Sequence, residues 1–130
     1  MEKKKILVSE DEYDMRTLLT VQLETSGYSV FVAGDGQEGL DEIENVLPDL
    51  IILDLMLPKI GGYEVCAFLK SDERYNQIPV LMLTARATDV DRCMGLQCGA
   101  DEYMFKPFDG DVLLEKIGQL LAKGASARFN

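Results

Sequence analysis

Several apolar runs in this chain end in side chains that could do chemistry. Ile6-Leu7-Val8 leads into Ser9, Glu10, Asp11 and Glu12, and Leu50-Ile51-Ile52-Leu53 leads into Asp54. Val80-Leu81-Met82-Leu83 ends in Thr84, and Tyr103-Met104-Phe105 ends in Lys106-Pro107. Carboxylates brought within a few ångströms repel one another, and a cation relieves the repulsion. Two or three carboxylates with a main-chain carbonyl suit Mg²⁺, which takes octahedral oxygen ligation and keeps several waters. Lys106 adds a point positive charge and Thr84 a hydroxyl donor, both able to hold phosphoryl oxygens. Phosphoryl transfer is catalysed mainly by positioning and charge neutralisation. A carboxylate attacking phosphorus yields an aspartyl phosphate. Asp54, alone at the end of a buried run, is the candidate nucleophile.

These groups meet only if the elements before them share one sheet. Short apolar runs alternate with stretches of helical periodicity: Met15, Leu18, Leu19 and Leu23 up to Gly27; Leu40, Ile43 and Leu47 up to Pro48; Val65, Phe68 and Leu69; Val90, Cys93 and Met94 with Gly99 as the expected cap; and Val112 to Leu121 with Gly124 just past the end. Tyr28 to Val32 is β-branched and aromatic, a strand signal. All four prolines flank expected strands and none falls inside one. The order is (βα)₅. It predicts an α/β domain with a doubly wound parallel sheet between two helix layers, three layers in all. Ligands of such sheets bind beyond the carboxyl ends of the strands. The chemistry-bearing residues follow the first, third, fourth and fifth strands, at that end.

Length and composition narrow the functions. At 130 residues the chain suits one domain, expected over residues 1–124 with a tail at 125–130. Thirteen basic against 23 acidic residues give a net charge of −10, which repels phosphate backbones and anionic lipid headgroups. Neither nucleic acid nor membrane is therefore an expected direct partner. The complete lack of histidine removes Ser-His-Asp and Cys-His catalysis and histidine metal sites, leaving hard ions on oxygen ligands. Cys66, Cys93 and Cys98 form no C-x-x-C pair. Cys93 and Cys98, five apart, would point in different directions on one helix, so reduced core or boundary residues are expected. No signal peptide or membrane-length apolar run is visible, and a cytoplasmic location is the expectation.

Five blocks together resemble the receiver domain of two-component response regulators. They are Lys5 to Glu12; Pro48-Asp49 through Asp54 with Leu57-Pro58 and Gly61-Gly62; Pro79 through Thr84-Ala85; Gly99-Ala100-Asp101-Glu102-Tyr103; and Lys106-Pro107-Phe108. The resemblance covers roughly residues 4–123 and implies a flavodoxin-like strand order of 2-1-3-4-5. It implies that Asp54 accepts a phosphoryl group from a sensor histidine kinase, a phosphotransfer protein or a small phosphodonor. Asp11 would ligate Mg²⁺ directly with Asp54, Glu10 directly or through water, and the Met56 main-chain carbonyl would add a ligand. Lys106 would pair with the phosphoryl oxygens, Thr84 would move toward them, and Tyr103 would turn inward as Thr84 leaves its space. The Lys106-Pro107 bond would be cis. The shift would reshape the face of helix four, strand five and helix five for a downstream effector or a fused output domain. Glu10 stands where the family more often has Asp. Met56 and Arg86 occupy the positions that tune phosphoryl lifetime.

Blander and rival readings remain open at this point. An acidic loop is often only solvated, and Asp54 could cap a helix, although Pro58 and the glycines delay that helix. Rival functions are a phosphorylation-independent interaction module, a Mg²⁺-dependent aspartyl-nucleophile phosphatase and a flavin carrier. The phosphatase wants an acid two residues past its nucleophile, where Met56 stands. A flavin phosphate would be repelled by the acids at 10, 11 and 12.

Overall fold

In the computed structural model, which describes residues 2–129 and side chains as far as Lys123, strands and helices alternate along the chain. They run β1 (Lys5–Ser9), α1 (Tyr13–Thr25), β2 (Ser29–Ala33), α2 (Gly36–Val46), β3 (Leu50–Asp54), α3 (Gly62–Ser71), β4 (Val80–Thr84), α4 (Ala87–Gly95), β5 (Glu102–Phe105) and α5 (Gly110–Phe129). All strand pairs are parallel, in the order β2-β1-β3-β4-β5. β3 and β4 are buried at every position because helices cover both faces of the sheet. Alternate residues feed different cores. Leu7, Ile51, Leu53, Val80 and Met82 pack with Ile43, Val65, Leu69 and Val90 of α2, α3 and α4. Ile6, Val8, Leu50, Ile52, Leu81 and Leu83 pack with Leu19, Leu23, Leu113 and Ile117 of α1 and α5.

Register decides what meets at the carboxyl rim. Ser9 pairs with Leu53, so Glu10 stands level with Asp54. Asp54 pairs with Leu83, and Thr84 with Phe105, which puts Thr84 and Lys106 one step beyond on the same rim. The loop after β3 is pinned from two sides. The Gly62 N–H donates to the Leu55 carbonyl at 3.1 Å, and the Gly36 N–H donates to the Pro58 carbonyl at 3.1 Å. A side chain at Gly62 would collide with the Asp54 carbonyl, and one at Gly36 with the Ile60 carbonyl. Both glycines are therefore required by close backbone approach.

Three local expectations are corrected. Gly99 does not cap α4: that helix ends at Gly95, with Leu96 as its C-cap donating to the Arg92 and Cys93 carbonyls. Gln97 (φ 54°) and Gly99 (φ 81°) then reverse the chain. Because Cys98 lies in this reversal and not on the helix, it turns back to Cys93, and the two form a disulfide with Cα atoms 5.5 Å apart. The reduced, divergent pair expected from helical spacing is thus overturned by where the helix stops. Finally, α5 does not end before Gly124: residues 125–129 of the expected tail continue it, and Asn130 lies outside the described residues.

Candidate functional site

The carboxyl rim gathers most of the residues singled out from sequence. Carboxylate oxygens of Glu10, Asp11 and Asp54 lie within 4.8 Å of one another. Glu10 and Asp54 are buried and Asp11 is exposed, so the cluster opens to solvent through Asp11. One ammonium stands among these acids: Lys106 Nζ donates to Glu10 Oε1 and, at 3.1 Å, to Asp54 Oδ2. The other Asp54 oxygen, Oδ1, accepts the Met56 N–H at 3.0 Å. Both oxygens of the candidate nucleophile are thereby oriented.

Backbone contacts fix the acidic loop. The Glu10 N–H donates to the Ala33 carbonyl at 3.0 Å, and Glu10 Oε2 accepts the Glu12 N–H at 3.1 Å. Arg16 of α1 donates through Nη1 to the Glu10 carbonyl at 3.0 Å. Sequence reasoning missed Arg16, although it is the only basic residue of α1 and stands four positions after Glu12, one turn into the helix.

The electrostatics follow from burial and crowding. Burial holds the Glu10 carboxyl above its ordinary range; hydrogen bonds from Lys106 and the Glu12 amide pull the other way, while the Asp54 charge adds to the rise. Burial alone would lower Lys106, but Glu10 and Asp54 outweigh it and hold the ammonium above the usual lysine value. The lysine therefore stays charged, and it pairs with two of the three acids, Glu10 and Asp54, leaving the Asp11 carboxylate without an ammonium at hydrogen-bond distance among the described residues. An all-oxygen donor set with surplus negative charge fits a hard divalent ion.

The remaining candidates lie around this centre. Thr84 is fully buried, and its hydroxyl accepts the Arg86 N–H at 3.3 Å instead of reaching Asp54. Met56 and Arg86, singled out separately from sequence, touch each other: Arg86 Nη2 lies 3.4 Å from the Met56 sulfur, and Nε pairs with Asp89 at 3.0 Å. The two side chains thus lie in contact with each other. The i,i+3 spacing of Arg86 and Asp89 was a visible but unused signal for the latter. Lys106-Pro107 is cis. Tyr103 sits apart from the acids, half-buried, with its hydroxyl 3.8 Å from the sulfurs of Cys93 and Cys98.

Comparison with known proteins agrees with this geometry. The family model "Response regulator receiver domain" matches residues 6–118. The alkaline phosphatase synthesis transcriptional regulatory protein PhoP of Bacillus subtilis is 45% identical over 124 residues, covering 95% of this chain and 51% of PhoP. The chain spans about half the length of the curated relatives it matches. A CheY-like receiver domain protein from Methanospirillum hungatei superposes with a TM-score of 0.89 at 30% identity, covering 97% of this chain and 99% of that one. The receiver domain of sensor histidine kinase PA1611 from Pseudomonas aeruginosa, solved with a magnesium ion coordinated in its active-site cleft, gives 0.84 at 29% identity, covering 93% of this chain and 99% of that one. Sequence, strand order and rim therefore converge: the chain belongs to the response regulator receiver domain family.

Proposed function

We propose that residues 1–124 form a receiver that accepts a phosphoryl group on Asp54, with Mg²⁺ held by Asp11, Asp54, the Met56 carbonyl and Glu10, the last directly or through water. The observation that carries this reading is the convergence of three carboxylates within 4.8 Å, two of them paired to Lys106. Bound there, Mg²⁺ supplies charge neutralisation for the acids and for the incoming phosphoryl oxygens. Asp54 supplies the attacking oxygen: its O–P bond forms as the N–P bond of a sensor kinase's or phosphotransfer protein's phosphohistidine breaks. Lys106, already paired with Asp54, exchanges that contact for a phosphoryl oxygen. Thr84 leaves the Arg86 amide to donate to another, and Tyr103 moves inward into the space vacated. The α4-β5-α5 face then differs between two states and presents the signal to an effector or a fused output domain in the cytoplasm. Met56 and Arg86 together govern access of water to the phosphoryl group. Among the described residues no helix is long and apolar enough to cross a membrane.

The test is intact mass after incubation with a small phosphodonor and Mg²⁺. A gain of one phosphoryl group is expected, abolished by Asp54→Asn. No gain, or a gain that survives Asp54→Asn, contradicts the reading.

A further inference from the structure

Outside the rim, the sulfur chemistry of the molecule collects at one place. Cys93 closes the last turn of α4 and Cys98 lies in the reversal before β5; both are fully buried. Their Cα separation of 5.5 Å falls within the span that a disulfide bridges without moving the backbone. Cys66 is excluded from this chemistry. Its thiol donates to the Cys98 carbonyl at 3.0 Å, and burial pushes its pKa up to about 12, so it stays a neutral, poor nucleophile. The hydroxyl of Tyr103 lies 3.8 Å from both bonded sulfurs. The element that the bond secures is weak by itself. α4 has nine residues and no side-chain N-cap bond, and Met94 and Leu96 at its end are 62% and 60% exposed. A helix that short depends on its packing, and its end opens at low cost once released. Such opening lets small reagents reach the buried sulfurs.

We propose that Cys93 and Cys98 form a reversible dithiol–disulfide site, oxidised by a hydroperoxide and reduced by a dithiol, whose state sets how firmly the end of α4 is held beside Tyr103. In oxidation, one cysteine thiolate attacks a peroxide oxygen; the O–O bond breaks, a sulfenic acid forms, and water or an alcohol leaves. The second thiol displaces the sulfenic oxygen as water, forming the S–S bond, so both electrons from the cysteines end on the peroxide oxygens. In reduction, a thiolate of the external dithiol attacks one sulfur, and its second thiol resolves the mixed disulfide, returning both cysteines as thiols. Only the consequence for signalling rests on the receiver reading; the sulfur chemistry does not.

The full chain is reduced with dithiothreitol or treated with hydrogen peroxide, then unfolded, alkylated and weighed. All three cysteines are expected to be alkylated after reduction and one, Cys66, after peroxide, with full recovery on renewed reduction. Cys66→Ser is expected to lose both alkylation sites on oxidation, which assigns the bond to the remaining pair. Amide exchange over residues 93–99 is expected to be at least about tenfold slower in the oxidised form. Alkylation of every cysteine after peroxide, a bond that involves Cys66, or equal exchange in the two forms overturns the proposal. None of these measurements uses phosphoryl transfer, so failure at Asp54 and failure here are read separately.

Discussion

At the amino-terminal edge of the sheet, acids act as clamps between strands. Asp49 accepts the Lys5 N–H at 2.8 Å, tying the start of β1 to the residue before β3. Asp101 accepts the Val80 N–H at 2.8 Å and the Lys70 ammonium at 2.9 Å, tying β4 to the residue before β5. Lys70 also donates to the Ile78 carbonyl at 2.8 Å. At the carboxyl rim, acids of the same type are crowded against one another: Glu10, Asp11 and Asp54 lie within 4.8 Å of each other, and the ammonium of Lys106 pairs with only Glu10 and Asp54. The chemistry of the side chain is the same at both ends, and what differs is how much of it the fold consumes. Carboxylates paired to amides and a lysine of their own stabilise the native state. A cluster with surplus negative charge leaves carboxylate oxygens unconsumed by the fold, which is what the proposed cation site and phosphoryl acceptor require.

The largest effect that separates the two ends is expected for Lys106→Met. Removing a positioned charge from a phosphoryl-transfer site costs on the order of a hundredfold or more in rate. The rate of mass gain from a small phosphodonor should therefore fall by about that much. Mg²⁺ should still bind, because the acids proposed to hold it remain and the competing ammonium is gone. Loss of Mg²⁺ binding together with the rate would show Lys106 to be a structural clamp like Lys70.

A smaller and opposite effect is expected at the other end. Asp101→Asn weakens charge-assisted bonds to Lys70 and to the Val80 amide, and should lower stability by about 1–2 kcal/mol in urea unfolding. Phosphoryl uptake by the folded variant should stay within about twofold of the parent, since surface and clamp substitutions distant from a site act independently of it. A specific loss of uptake without loss of stability would erase the distinction between the two ends.

The rim was legible in the sequence because parallel strands buried on both faces announce themselves as apolar runs, and the residues just past Val8, Leu53, Leu83 and Phe105 are fixed by register. Asp54 and Lys106 could be placed from that alone, and the five-block resemblance supplied the strand order. What escaped depends on where chain segments turn. The Cys93–Cys98 bond exists because α4 stops at Gly95 and Gln97 takes a left-handed conformation, and neither is signalled by apolar periodicity. The Arg16 contact with the Glu10 carbonyl and the meeting of Arg86 with Met56 join long side chains across elements. Gly124 misled because a lone glycine marks a helix end only when the following residues favour another conformation, and the Ala-Ser-Ala-Arg that follows does not oppose a helix.

Magnesium titration of the unphosphorylated protein, followed by backbone amide shifts, tests most directly whether the crowded acids form a cation site. Saturable binding at roughly millimolar Mg²⁺ or below is expected, with shifts centred on residues 10–12, 54–56 and 106, and at least about tenfold weaker binding in Asp11→Asn. Shifts that fail to saturate, or binding that Asp11→Asn leaves unchanged, would contradict the assignment of these carboxylates to a shared ion.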